Sequence, residues 1–526
     1  MASVKLYHII VFVAFVLFLY KVLAGFVTWY QQRKANHLGC QPVPLERTKW
    51  PFGIDVVLRM AKASKEQRVP DFIVERYNDM GRYTWRTKML GSEFFTTADP
   101  KNIQAILATQ FKYFRIGIAR RTNLYSVLGG SVFALDGAAW HSAREVIRPI
   151  FSREQVSNLA LLEHHFQNML ECIPPDSQGW TLVVSLNALL PSLTLDAATE
   201  LFLGKSTNTL LKKAAKLRAR QAIGQEDFEE DFEWAFERVQ ELIAARLRLR
   251  GLYWTYGGGE LKKCVAILHH LCDQAMGEAI ENKKKGGDSQ CYDFLDAMMA
   301  RSENHAAVRD HVLGLLAAGR DTTAALTSWV FYCLIRHPDV LAKLRGIILE
   351  TFGSYNEGTD KIPFSALKGC TYLQHVLNET LRLHLVVPFN SRHAVCDTTL
   401  PSGGGPDGTA PVFLPKGSEV NFSSHVLHRR HDIWGPDADE FVPARWEKKK
   451  PGWSYVPFNG GPRVCIGQQY ALTESGYIIT RMLQKFDVIE GADVNTSRDW
   501  SNFSLICSPG PGHDSVKVRM RVARDS

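Results

Sequence analysis

Phe458-Asn459-Gly460-Gly461-Pro462-Arg463-Val464-Cys465-Ile466-Gly467 decides how the rest of this 526-residue chain is read. The stretch fixes five positions, F-x-x-G-x-R-x-C-x-G, around one cysteine. From average composition, a chance match in a chain this long is on the order of one in ten thousand. A single cysteine thiolate is one of the ways a protein holds a haem iron, and it pushes electron density that favours O–O cleavage. Such a thiolate needs donated hydrogen bonds and a positive end nearby. Gly460, Gly461 and Gly467 let bare backbone amides approach the sulfur. The apolar run Ala471, Leu472, Ile478, Ile479, Met482 and Leu483 predicts a helix. Cys465 then sits near its N-terminus, where the dipole favours a thiolate. Phe458 would cover the sulfur, and Arg463 offers a fork for a haem propionate. The competing reading is a buried structural cysteine in a Gly-rich loop; a lone Cys-x-Gly would favour it, and the full pattern argues against it.

The decapeptide resembles the haem-binding signature of the cytochrome P450 monooxygenases, and the resemblance covers nearly everything after the N-terminal segment. It implies a mainly α fold with a small β-sheet region. It also implies haem b held non-covalently, Cys465 as the axial ligand to iron, and O2 as co-substrate. No segment suggests a flavin or nicotinamide site, so electrons are expected from NADPH–cytochrome P450 reductase. Gly403-Gly404-Gly405-Pro406-Asp407-Gly408 satisfies G-x-G-x-x-G on paper. Pro406 and Asp407 cannot easily open a helix there, and no strong strand precedes it, which argues against a nucleotide site. His428-Arg429-Arg430-His431-Asp432 looks ligand-rich but reads as a solvated loop.

A helical pattern runs from about Ala306 to His337 and stops at Pro338. Its centre is Ala318-Gly319-Arg320-Asp321-Thr322-Thr323. Gly314 and Gly319 each cost a helix about 1 kcal/mol against alanine, which points to close approach of something flat or small. An acid beside a hydroxyl suits relay of protons through water, so Asp321 and Thr322 are the expected catalytic pair. An Asp and a Thr that merely cap a kink are the plain alternative; the motif also matches the family's oxygen-activating sequence. Alanine at position 318, where some fatty-acid hydroxylases carry glutamate, excludes an ester link to haem.

Glu379-Thr380-Leu381-Arg382 places an acid and a base three apart on one helix face, between Tyr372 and Leu385. E-x-x-R is a weak motif alone. Here Phe441-Val442-Pro443-Ala444-Arg445-Trp446 follows, and Arg445 resembles the third member of the family's structural Glu-Arg-Arg network. The acidic residue usual at position 444 is absent. By resemblance, Trp140 and Arg144 of Trp140-His141-Ser142-Ala143-Arg144, and Arg392 after Pro388, meet the haem propionates.

Composition is ordinary for a globular protein, 45% hydrophobic and 22% charged, with no linker-like block or repeat in the body. Tyr7 to Tyr30 is almost wholly apolar and long enough to span a bilayer. A cleaved signal peptide ending near Val22-Leu23-Ala24 is the rival reading. Ten cysteines without a regular framework, one of them needed for metal, favour an uncleaved anchor. The expected plan is an anchor over 1–34, a Pro-containing linker over 35–50 with Gln41-Pro42-Val43-Pro44 as a stiff hinge, and a catalytic domain over 51–526. The implied location is the endoplasmic reticulum membrane, single-pass, with the domain on the cytosolic face. Net charge is +8 and spread along the chain, so nucleic-acid binding is not expected. Lys283-Lys284-Lys285-Gly286-Gly287 reads as a solvated loop.

Further helices are expected at Asn102 to Phe111, Ala138 to Phe151, Asp227 to Arg250 and Glu260 to Asn282. Strands are expected at Tyr83 to Met89, Glu93 to Thr97 and Val412 to Leu414. Arg320 inside the oxygen motif, the block Phe458 to Gln469, and Leu400 to Pro415 resemble fungal membrane-bound hydroxylases of n-alkanes and fatty acids. That branch also includes enzymes acting on alkyl chains of polyketides and other secondary metabolites. After Leu383-His384 the branch usually has proline; this chain has Leu385. The expected pocket walls are Val386 to Asn390, Arg115 to Gly130 and Asn502 to Ser508. The expected reaction is insertion of one oxygen at or near the end of a long alkyl chain in a lipophilic substrate. The alternatives are tailoring of a secondary metabolite, or haem-thiolate isomerisation or dehydration, which an intact Asp321-Thr322 pair disfavours.

Overall fold

The computed structural model describes residues 2–151, 158–220, 232–284, 293–301, 304–492, 501–510 and 516–524. Helices dominate it, with four small sheets among the described residues, as the sequence implies.

The axis of the molecule is the helix His305–Leu334, about 45 Å long at 1.5 Å per residue. Asn304 caps it by accepting the Ala307 N–H at 3.3 Å. Pro338, which cannot continue it, opens the next helix, Pro338–Phe352. The helix packs along Leu186–Leu203 and Gln468–Lys485. Two hydrophobic cores meet it at different heights. One gathers Leu242, Leu268, Leu313 and Leu316 against the helices Phe232–Arg248 and Gly258–Lys284. The other gathers Trp329, Phe331, Leu377, Tyr477 and Ile478 against Thr371–Leu383 and Gln468–Lys485. Burying each such side chain contributes about 1.5–3 kcal/mol. Between the two cores, Ala317–Gly319 and Asp321–Thr322 are less buried than the turns on either side. The gap in the packing is where the oxygen motif lies.

The largest sheet has five strands in the order Thr84–Met89, Ser92–Thr97, Glu419–Ser423, Phe389–Ala394, Phe114–Arg115. Only the contact between Ser92–Thr97 and Glu419–Ser423 is parallel. Thr398–Gly404 and Ala410–Leu414 form a hairpin. Its turn has Gly405 and Gly408 at φ +80° and +75°, and a strand, not a helix, follows. That is a hairpin turn rather than a phosphate cradle, although the strand Thr398–Gly404 that leads into it corrects the reading that no strong strand precedes the glycines.

Most predicted helices fall within a few residues of the observed ones. Asn102 to Phe111 differs: a helix at Pro100–Gln104 widens into a π-turn at Ala105–Thr109. The beginning of Asp227 to Arg250 and the end of the lysine run lie outside the described residues. The solvated-loop reading of His428–Asp432 needs correction. His431 and Asp432 are exposed, but His428 is fully buried and its Nε2 accepts the Val456 N–H at 2.9 Å. Burial and the nearby Arg382 push its imidazole down to about 3, so it stays neutral.

The N-terminal helix runs Ala2–His37. Within Val11–His37, the most apolar 18-residue window has a mean hydropathy of 2.3 and is not buried by the rest of the chain; the helix is long and apolar enough to cross a membrane. Beyond it the chain does not hang free. Lys34 pairs with Asp397 at 2.6 Å, Gln41 N–H donates to Pro411 O at 2.9 Å, and Gly405 N–H donates to Pro42 O at 3.0 Å. The Pro-containing segment is thus hydrogen-bonded to the hairpin.

Candidate active site

Cys465 lies in the loop before Gln468–Lys485, and its N–H donates to Phe458 O at 3.0 Å, closing the loop. The residue has accessible surface, yet protein surrounds it closely enough that burial pushes its thiol up; the Gly467 N–H and the Arg144 guanidinium act the other way. The glycines divide their work. Gly467 brings its amide to the sulfur. Gly461, at φ +65°, leaves room for Leu107 O, and a Cβ at Gly460 would fall 2.6 Å from the Trp453 ring. Two of the three therefore seat the loop on its neighbours rather than serve the sulfur. Phe458 packs against the larger core.

Around this loop the chain gathers cations. Arg144 donates to Val464 O at 2.8 Å, and Arg463 donates to Leu135 O and to Asp136 at 2.6 and 2.8 Å. The Arg463 and Arg144 guanidiniums lie 4.6 and 5.7 Å from the Trp140 ring. Arg392, 4% exposed, donates to Asn390 Oδ1 and Ser391 O at 2.9 and 2.7 Å. Burial, with Arg120 and Arg463 nearby, pushes it down to about 9. Arg120 joins the same Asn390 Oδ1 at 2.7 Å. Among the described residues, Asp136 is the acid that offsets the fields of Arg120, Arg392 and Arg463 most strongly. Buried cations in such excess demand anions, and a group bearing two carboxylates beside a cysteine loop fits that demand. Arg120 is the residue sequence reasoning missed. It sits in the expected pocket-wall segment with no motif spacing to mark it, and only the fold carries it to Arg392.

Behind the loop, Glu379 and Arg382 are both fully buried and pair at 2.9 Å through both carboxylate oxygens. Glu379 also accepts from Arg445 Nε at 3.3 Å, Val442 N–H at 3.0 Å and Trp446 Nε1 at 2.9 Å. The acid absent at Ala444 is supplied by Asp437, which takes Arg445 at 2.9 and 3.0 Å.

Opposite, the oxygen-motif residues point in different directions. The Thr322 hydroxyl donates to Ala318 O at 2.5 Å, one turn back. Asp321 accepts from Gln240 at 2.6 Å and Arg320 at 3.0 Å. Burial pushes its carboxyl up, with Arg320 opposing. Arg320 is itself fully buried and reaches Glu237 at 2.8 Å and Glu233 at 3.5 Å. Asp321 is thereby tied to the helix Phe232–Arg248. The two glycines also differ. A Cβ at Gly314 would lie 3.0 Å from Ser131, whereas one at Gly319 would meet only Phe202 at 3.7 Å, so protein packing accounts for the first and not the second.

The Cytochrome P450 family model matches residues 50–513. Relatives include Cytochrome P450 monooxygenase alt2 of Alternaria solani, 56% identical over 98% of this chain and 99% of the relative. Cytochrome P450 monooxygenase g430 of Fusarium sp is 44% identical over 90% and 84%, and Cytochrome P450 52A13 of Debaryomyces hansenii 38% over 87% and 88%. The chain belongs to the cytochrome P450 family. Membership makes it a haem-dependent monooxygenase that uses O2 and draws electrons from a redox partner.

Proposed function

We propose that the chain inserts one oxygen atom into a C–H bond at or near the end of a long alkyl chain. The observation that carries this reading is the convergence of three apolar segments. Leu315 of the central helix and Leu505, in the turn of a late hairpin formed by Ser501–Phe503 and Cys507–Pro509, belong to one cluster. Phe389 stacks edge-on to Phe503 of that hairpin at 5.5 Å. Val386 O accepts the Cys507 N–H at 2.8 Å, fixing the hairpin to the segment that carries Val387. Walls of this kind restrain a chain by shape, and orientation rather than intrinsic reactivity then selects the stronger terminal C–H bond.

In this reading Cys465 would supply the thiolate that holds the iron of haem b, and the haem would be bound non-covalently, since Ala318 offers no carboxylate. Trp140, Arg144, Arg392 and Arg463 would hold its propionates, with Arg120 beside them, and Phe458 would shield the sulfur. The haem supplies activation of O2. Thr322, whose hydroxyl rests on Ala318 O, would hold and pass protons at the oxygen groove, and Asp321, turned toward Gln240 and Arg320, would be the reservoir behind it. Residues 1–34 anchor the chain in the endoplasmic reticulum membrane as a single span, 35–50 connect, and 51–526 form the catalytic domain on the cytosolic face, served by NADPH–cytochrome P450 reductase. A second reading, tailoring oxidation of a polyketide or other secondary metabolite, draws support from Leu385, which departs from the alkane-hydroxylase pattern.

Product analysis by mass spectrometry with NADPH and the reductase tests the proposal on n-alkanes, fatty acids and alkyl-bearing polyketides. Terminal or near-terminal alcohols are the expected products. Oxidation confined to ring systems, with no turnover of alkyl chains, refutes the alkyl-chain reading.

A further inference from the structure

Along the central helix, His311, Leu315, Ala318 and Thr322 fall within about 60° of one another at 100° per residue, so they form one stripe. Leu315 is on this stripe as a proposed pocket wall, and Thr322 marks the oxygen end. His311 lies eleven residues before Thr322, roughly 16 Å along the axis. It is 7% exposed, and its Nδ1 is buried without a hydrogen-bond partner among the described residues. One turn on, Gly314 receives Ser131, which is fully buried. The Ser131 Oγ is also unpartnered among the described residues. Ser131 ends the turn after the helix Ile118–Leu128, in the region expected to wall the pocket. The orphaned Ser131 Oγ thus lies against Gly314, three residues along the helix from the orphaned His311 Nδ1, at the end of an apolar stripe where an unsatisfied group costs about 1–3 kcal/mol.

The charges nearby decide what these atoms suit. Asp310 accepts the Gly130 N–H at 2.7 Å, so a carboxylate already stands beside the pair. Arg309 is occupied by Asp273 at 3.0 Å and lies 3.9 Å from Asp310. Burial pushes the His311 imidazole down while Asp310 pulls it up, and the net shift is downward, toward the neutral ring. An anionic head group would meet Asp310 with no free cation in this set to offset it. A hydroxyl or carbonyl would meet a neutral imidazole and a hydroxyl, both competent as donors.

We propose that His311 and Ser131 form a recognition point for a neutral hydrogen-bonding head group, a hydroxyl or carbonyl, at the end of a long apolar chain remote from the oxidised position. The inference rests on the alkyl-chain reading above and narrows it to substrates that are neither plain alkanes nor carboxylates. A buried water bridging the two side chains is the rival occupant.

Substrate-binding difference spectra of the full-length holoenzyme test it with hexadecane, hexadecyl alcohol, the methyl ketone of the same length and hexadecanoate. The alcohol and ketone should bind about tenfold more tightly than the alkane or the acid, the worth of one good buried hydrogen bond. His311→Leu should abolish the alcohol's advantage over the alkane, read as the ratio of the two affinities, His311→Asn should restore part of the preference, and Ser131→Ala should lose part. The ferrous–carbonyl band verifies that each variant is folded; should His311→Leu fail that check, His311→Asn and Ser131→Ala decide. Equal binding of alkane and alcohol by the wild type, tighter binding of the acid, or a preference that survives these substitutions overturns the proposal and leaves water as the occupant. Terminal hydroxylation of hexadecane alongside equal affinities would spare the alkyl-chain reading, whereas no turnover of any alkyl compound would sink that reading while the affinity ratios still decide this one.

Discussion

The two sides of the site are built on opposite plans. On the cysteine side, Glu379 accepts from Arg382, Arg445, Val442 and Trp446, and both members of its closest ion pair are fully buried. On the groove side, Arg320 Nε, Ser131 Oγ and His311 Nδ1 have no hydrogen-bond partner among the described residues, and neither does Glu474 Oε2, which the helix Gln468–Lys485 turns toward Thr323 of the central helix. A closed network holds a geometry, because every displacement exposes a buried charge. An open one leaves donors and acceptors for water, protons or substrate. Position is fixed behind the cysteine loop, and exchange happens along the central helix.

Breaking the closed side should have the largest effects. Cys465→Ala is expected to abolish the long-wavelength Soret band of the ferrous–carbonyl complex, and a retained band in folded protein would remove Cys465 as the ligand. Glu379→Ala leaves Arg382 and Arg445 without their shared acid, a loss of about 3–5 kcal/mol for a broken buried pair. Little haem-loaded protein should accumulate, as absorbance and thermal melting would report. A stable, fully loaded variant would show that the network is dispensable.

Changes on the open side should spare the fold and alter coupling. Thr322→Ala is expected to keep the haem yet divert NADPH electrons several-fold toward hydrogen peroxide, measured as peroxide per NADPH consumed; unchanged coupling argues against its role. Glu474→Gln is the mildest test. Burial raises the Glu474 carboxyl to about 8 from an ordinary 4.5. Its folded-state value lies above its unfolded one, so the native state holds an extra proton between them and stability falls as pH rises from about 4.5 to 8. The amide cannot titrate, so the melting temperature of Glu474→Gln should decline less over that window than that of the wild type. Identical pH profiles would show that Glu474 is ionised or solvated in the native protein.

The cysteine side was largely legible in the chain, since its chemistry is local. Ten consecutive residues carry the loop, E-x-x-R puts acid and base on one helix face, and Arg445 follows in a recognisable hexapeptide. Even there Asp437 was not legible: it stands in for the acid absent at Ala444 through a turn whose shape depends on Trp434 and Arg445. His428 was misread because its surroundings of charged residues look solvated, while its own ring faces Val456 inside the protein.

Sequence by itself determined the helical class, the long central helix with its stop at Pro338, the apolar N-terminal span and the cysteine loop before a helix. Periodicity, punctuation by Gly and Pro, and spacing within a few turns encode all of these. Only the tertiary structure decided that Asp321 turns to Gln240 and Arg320 rather than to Thr322, that Arg120 joins Arg392 at Asn390, and that Ser131 meets Gly314 near His311. Each of these depends on elements tens or hundreds of residues apart, and a side chain's direction across such a gap is set by packing and buried charge, which no local pattern records.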